Sequence, residues 1–307
     1  GAAGAGNSGS VVIESGESTS GQGGGIIGSV GTGTSGAGGD VSVSAGNTSA
    51  ISRGGHVLLK GGQGATGGMI ELVSGEGTES SGGAIVLSVG EGFDNAGGIV
   101  NITAGRTDGT LVDGGSITVM GGESAGSGGT GGALTMTGGV GSEQTGGDIT
   151  LKSGRSAKST SGSISIRTDG AYSRTGVSGG IELQTGSSLA GTTGSVEMST
   201  GLSVGGRGGG ISLRVGTGDS GSGGVINMMA GNSTGGDTRG GDVLLRGGDG
   251  TGSGSVGGDV SLLGGTGYDQ GGSFQLLSGE SVVGPSGNVS MRTADADELG
   301  LGGTIVF

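Results

Sequence analysis

The sequence predicts an all-β fold, a parallel β-solenoid with two short strands in each coil of about 31 residues and about ten coils. Three observations carry this. One short phrase, Gly-x-Φ-x-Φ-x-x-Gly with Φ apolar, recurs twenty times along the chain. Its two Φ positions alternate with polar ones over five or six residues, which is the period of a strand. The phrases also fall into two alternating classes, so the repeating unit is a pair. The alternative is one strand per coil of about 15 residues.

Taken in order, the first Φ is Val11, Ile26, Val41, Val57, Ile70, Ile85, Val100, Ile117, Leu134, Ile149, Ile164, Ile181, Val196, Ile211, Ile226, Val243, Val260, Phe274, Val289 and Ile305. The mean spacing is about 15.5 residues, and most gaps are 15 or 17. The second Φ follows two residues later, and the second phrase departs from the rule with Gly28. Linkers of roughly 7–11 residues, rich in Gly, Ser, Thr, Asp and Glu, read as turns.

The second Φ separates the classes. Even-numbered phrases carry Leu59, Leu87, Val119, Leu151, Leu183, Leu213, Leu245 and Leu276. Odd-numbered phrases carry Ile13, Val43, Leu72, Ile102, Met136, Ile166, Met198, Met228, Leu262 and Met291. This places a strand of each coil on each of two sheets. A core ladder of Leu59, Leu87, Leu151, Leu183, Leu213, Leu245 and Leu276 is expected on one wall, facing a Met and β-branched wall across a thin core. A longer echo relates residues 9–62 to 194–248: Gly24-Gly25-Ile26 matches Gly209-Gly210-Ile211, and Lys60-Gly61-Gly62 matches Arg246-Gly247-Gly248. Block duplication accounts for it.

Composition fits coils with tight corners. Glycine is 90 of 307 residues, Pro is a single residue and aromatics are 2%. Glycine supplies positive φ and close backbone approach. Without glycine at every third position the chain is not collagen. No run of about 18 apolar residues exists, so no membrane-spanning helix is expected. The reading is one continuous array over 1–307. Neither end carries a polar cap, so the expectation is a segment of a longer protein, or a subunit that associates end to end with other filament subunits.

The net charge is −13, with the acids spread through the linkers. With no basic stripe and few aromatics, nucleic acid is not an expected partner. The absence of Cys excludes disulfides and thiolate metal sites. Chemistry-bearing motifs are sparse. At this glycine content, Gly-x-Gly-x-x-Gly carries no information, and no Gly-Lys-Ser/Thr phosphate loop is present. The single His, His56, aligns with Asp242 in the duplicated block and reads as a surface side chain. Gly264-Gly265-Thr266-Gly267-Tyr268-Asp269 begins like a calcium-binding roll, then places Gly271 where that motif needs an aliphatic residue. No catalytic, cofactor or metal site is assigned, and the chain does not read as an enzyme. A polysaccharide lyase on a β-helix would need carboxylates and basic groups clustered on successive coils.

Two further readings concern the surface. The position between the Φ residues holds Thr118, Thr135 and Thr150 in succession, in a series that also holds Glu71, Glu182 and Glu197. An ice- or polysaccharide-binding module is therefore the alternative function. Four sequons, at Asn47, Asn101, Asn232 and Asn288, mark candidate N-glycosylation sites, two of them at equivalent positions in the duplicated block.

The phrases Gly38-Gly39-Asp40-Val41-Ser42-Val43-Ser44-Ala45-Gly46 and Ser161-Gly162-Ser163-Ile164-Ser165-Ile166-Arg167-Thr168 carry a family resemblance. From Gly9 to Phe307 the chain resembles glycine/serine-rich tandem-repeat surface proteins of diatoms, oomycetes and related flagellates. The resemblance implies an extracellular or cell-surface location and a structural role in a filament, sheath or hair. It implies no functional residues.

Overall fold

The structure, a computed structural model, describes residues 7–93, 96–173, 175–294 and 302–306. Phe307, where the last phrase stops, lies outside them. The chain divides into two units, Gly1–Leu151 and Lys152–Phe307.

The solenoid is not formed. Among the described residues there is neither helix nor strand, so both the two-strand coil and the one-strand coil are incorrect. No described residue is buried, and the described residues form no core. The expected core ladder of Leu59, Leu87, Leu151, Leu183, Leu213, Leu245 and Leu276 stands 54–72% exposed. Met136, Met198, Met228 and Met291 of the facing wall are exposed as well. Accessible surface measures 30637 Å². A folded monomer of this mass shows roughly 11,000 Å² and an unfolded chain roughly 41,000 Å².

The physical reason lies in the composition. A coil of 31 residues offers four apolar side chains for burial, while 90 glycines in 307 residues place about nine in every such coil. Glycine loses more conformational freedom on ordering than any other residue. Its lack of a side chain also removes the cross-strand contacts that stabilise a sheet. The alternating pattern is present, but the apolar area per residue is too small to hold a sheet in one chain.

What the structure keeps is the segmentation. A bend or turn sits in each of the eighteen linkers from Val11 to Val289, between every pair of successive phrases. The nineteenth linker falls largely outside the described residues. Among the described residues, the phrases make no backbone–backbone hydrogen bond except at their end glycines.

The linkers are closed at their necks by one recurring bond. The N–H of the glycine two residues before a phrase's first Φ donates to the carbonyl of the glycine five residues after the preceding first Φ. In the first unit these pairs are Gly55 to Gly46 (2.9 Å), Gly68 to Gly62 (2.9 Å), Gly83 to Gly75 (2.9 Å), Gly115 to Gly105 (2.8 Å), Gly132 to Gly122 (2.8 Å) and Gly147 to Gly139 (2.8 Å). In the second they are Gly162 to Gly154 (2.9 Å), Gly241 to Gly231 (2.9 Å), Gly258 to Gly248 (2.8 Å), Gly272 to Gly265 (2.8 Å) and Gly287 to Gly279 (2.9 Å). The two glycines that define the phrase are thus donor and acceptor of the same type of bond. Close approach explains the glycine at the donor position: a Cβ on Gly132 would lie 3.0 Å from the Gly122 nitrogen, and one on Gly115 would lie 3.0 Å from the Gly105 nitrogen, whereas a Cβ on Gly122 or Gly105 would meet open space.

Four of the longer linkers share a further feature. The turns 109–111, 126–128, 235–237 and 252–254 each end in a left-handed residue: Leu111 at φ 60°, Gly128 at 87°, Asp237 at 54° and Gly254 at 77°. The glycines adopt this freely, whereas for leucine it is a strained conformation.

Leu111→Gly is expected to stabilise its turn by about 0.5–1 kcal/mol, the left-handed penalty less the extra freedom of glycine. The measurement is amide exchange at Gly115, slowed two- to fivefold. On the larger scale, calorimetry of the dilute chain is expected to show no cooperative endotherm. A folded array of this length would absorb heat at about 0.7 kcal/mol per residue.

Candidate functional site

The residues with chemical potential are scattered. Arg53 Nη1 donates to His56 Nε2 at 3.2 Å, and both side chains are exposed. The aligned pair in the duplicated block is Arg239 and Asp242, with Arg239 Nη2 donating to Asp242 Oδ1 at 2.8 Å. The alignment of His56 with Asp242 therefore holds in space: both are the acceptor-side partner of an arginine three residues earlier. Arg246 Nη2 meets both carboxylate oxygens of Asp249, at 2.9 and 2.8 Å, and Arg106 pairs with Asp108. All three ion pairs are 64% or more exposed, so each contributes a few tenths of a kcal/mol at most.

No group of three or more His, Asp or Glu side chains converges among the described residues. Asp269, the acid of the calcium-roll-like stretch, belongs to no such group. A shallow hollow among the described residues is lined by the consecutive residues Arg167, Thr168 and Asp169. No helix among the described residues is long and apolar enough to cross a membrane. Thr118, Thr135 and Thr150 lie on three separate phrases that no sheet aligns into a rank.

The four sequon asparagines sit in two settings. Asn47 and Asn232 directly follow the neck acceptors Gly46 and Gly231, at the mouth of a closed, exposed loop. In the first of these loops the Ala50 N–H donates to Thr48 Oγ1 at 3.2 Å. Asn101 lies between the two Φ residues of its phrase, and the hydroxyl of its sequon threonine, Thr103, donates to Asn101 Oδ1 at 3.0 Å. Asn288 directly follows the neck donor Gly287. All four are exposed.

The structure's own recurring site is one that sequence reasoning passed over. Eleven described residues are half-buried and the rest are exposed: Ala45, Gly61, Ser74, Ala104, Thr107, Gly138, Ser153, Ser156, Thr185, Ala230 and Gly247. Nine of these hold the same place, four residues after a first Φ and directly before the closing position of the phrase. The least exposed place in the repeat is thus at the neck and not at either Φ. Its signal in the sequence was the restricted choice of residue there, Gly, Ala, Ser, Thr or Val.

Comparison of the chain with protein-family models, with curated proteins and with solved structures finds no match in any of the three.

Proposed function

We propose that the chain is a structural component of an extracellular filament, sheath or hair, and that it works by associating with further copies of itself. One observation carries the reading. The apolar side chains of the described phrases stand exposed, from Val11 at 90% to Ile305 at 47%, on segments whose backbone is unpaired between their end glycines. Contiguous exposed apolar surface marks interaction sites. A sequence that repeats one apolar phrase twenty times presents the same surface to every copy of itself, so association is self-complementary. Burial on association also removes the difficulty met within one chain, because many copies together supply the apolar area that a single coil lacks.

The remaining composition suits this role. Linkers rich in Ser, Thr and Gly hold the phrases apart, and a net charge of −13 keeps the dilute chain soluble. Glycans on Asn47 and Asn232, at the loop mouths, would project away from the phrases and leave the apolar rows free. Chemistry concentrated in one place, as a catalytic reading would need, is not what the described residues present.

Two outcomes test the proposal. Sedimentation and electron microscopy of the dilute chain at rising concentration are expected to show growth into elongated assemblies. Replacing Leu183, Leu213, Leu245 and Leu276 together by Ser is expected to raise the onset concentration at least tenfold. Each buried leucine contributes about 1.5–3 kcal/mol, and tenfold corresponds to about 1.4 kcal/mol. Chains that stay monomeric at every concentration, or an onset unchanged in the quadruple variant, would count against self-association. Secretion from a eukaryotic host is expected to add mass that an N-glycosidase removes, reduced stepwise by Asn47→Gln and Asn232→Gln.

A further inference from the structure

We infer that the residue before the closing position of each phrase is a steric gate that decides whether the following linker is latched shut. The gate residue stands four positions after the first Φ. In the eleven linkers with the Gly-to-Gly neck bond it is Ala45, Gly61, Ser74, Ala104, Gly121, Gly138, Ser153, Ala230, Gly247, Gly264 or Ser278. All are Gly, Ala or Ser. In the linkers that form no such bond among the described residues it is Val30, Val89, Thr168, Thr185, Thr200, Val215 or Thr293, with Ser15 as the eighth. Seven of those eight branch at Cβ, and none of the eleven does.

The geometry supplies the cause. At a latched neck the gate's Cβ lies directly over the opening glycine: a Cβ built on Gly115 would stand 3.3 Å from Ala104 Cβ, and one on Gly241 would stand 3.3 Å from Ala230 Cβ. At an unlatched neck a γ-methyl fills this place. Val30 Cγ1 lies 2.8 Å from the Cβ position of Gly39, Val215 Cγ1 lies 2.7 Å from that of Gly224, and Thr200 Cγ2 lies 3.4 Å from that of Gly209. With a methyl in this place the opening N–H forms no bond to the closing carbonyl. A hydroxyl at the gate has a second option. Ser15 Oγ donates to the Gly24 carbonyl at 2.7 Å and Thr200 Oγ1 to the Gly209 carbonyl at 3.3 Å, so these gates hold their neck by the side chain instead. The half-buried positions point the same way, since nine of the eleven in the described chain are gate residues.

The gates are not distributed at random. Four consecutive wedged gates, Thr168, Thr185, Thr200 and Val215, make one unlatched stretch in the second unit, followed by four latched linkers from Gly231 to Gly287. The duplicated block preserves the classes: Ser15, Val30 and Ala45 correspond to Thr200, Val215 and Ala230. A latched linker stores 5–9 residues behind its neck, and opening the longest releases up to about 30 Å of contour. The unlatched stretch therefore extends without breaking a Gly-to-Gly neck bond, while its neighbours hold length in reserve.

The test is amide exchange and through-hydrogen-bond coupling on the full chain, labelled at glycine nitrogen and carbonyl carbon. Ala104→Val is expected to abolish the Gly115–Gly105 coupling and to speed Gly115 exchange several-fold, with Gly132 and Gly147 unchanged. Val215→Ala is expected to create a Gly224–Gly216 coupling absent from the parent. Gly115 exchange and coupling that are the same in Ala104→Val as in the parent, or a Gly224 amide that stays unprotected in Val215→Ala, would overturn the gate. Both readouts are made on the dilute chain and are independent of whether copies associate.

Discussion

The structure depends on one hydrogen bond repeated eleven times, from the opening glycine of a phrase to the closing glycine of the phrase before it. In isolation such a bond is a modest thing, with a net contribution of about 0.5–1.5 kcal/mol. Here it is the main regular backbone contact and the organiser of the chain. It turns a polar linker into a loop with a defined mouth. It also accounts for the opening glycine of the phrase, because a side chain at the donor position would press on the acceptor residue's own nitrogen. The half-buried positions, the sequon pair and the left-handed turn residues are all located by reference to these necks.

A chain organised by necks differs from a chain organised by a core. Around a core, apolar side chains set the register and the backbone follows. Around necks, small residues set where the backbone can touch itself and the apolar side chains are left outside. That inversion supports the structural reading of the protein. Its apolar rows are presented and not consumed, and its linkers carry the charge and the hydroxyls. The surface ion pairs, including the two aligned arginine pairs of the duplicated block, are too exposed to organise anything beyond their own turn.

Much was legible in the sequence. The twenty phrases and the linkers between them correspond to real segments, since each described linker contains its bend. The equivalence of His56 and Asp242 was legible too, and both prove to face an arginine. The assignment of Leu59, Leu183 and their series to a core was not sound. Alternation shows that a face could be buried, but burial requires a second layer of sufficient area, and four apolar side chains among some nine glycines do not provide it. The neck went unread because its signal is a limit on size rather than a preference for polarity. Hydrophobic periodicity does not register the difference between Ala104 and Val215.

By itself the sequence determined the repeat, its period of about 15.5 residues and the placing of bends between phrases. These follow from the local preferences of glycine and of alternating side chains. Only the tertiary structure decided that the phrases do not pair into sheets within the chain, that the linkers close through glycine, and that a γ-methyl at the gate keeps some of them open. Those outcomes turn on distances of a few tenths of an ångström between residues 6–10 positions apart, a scale at which close approach of two backbones, and not sequence pattern, is the deciding physics.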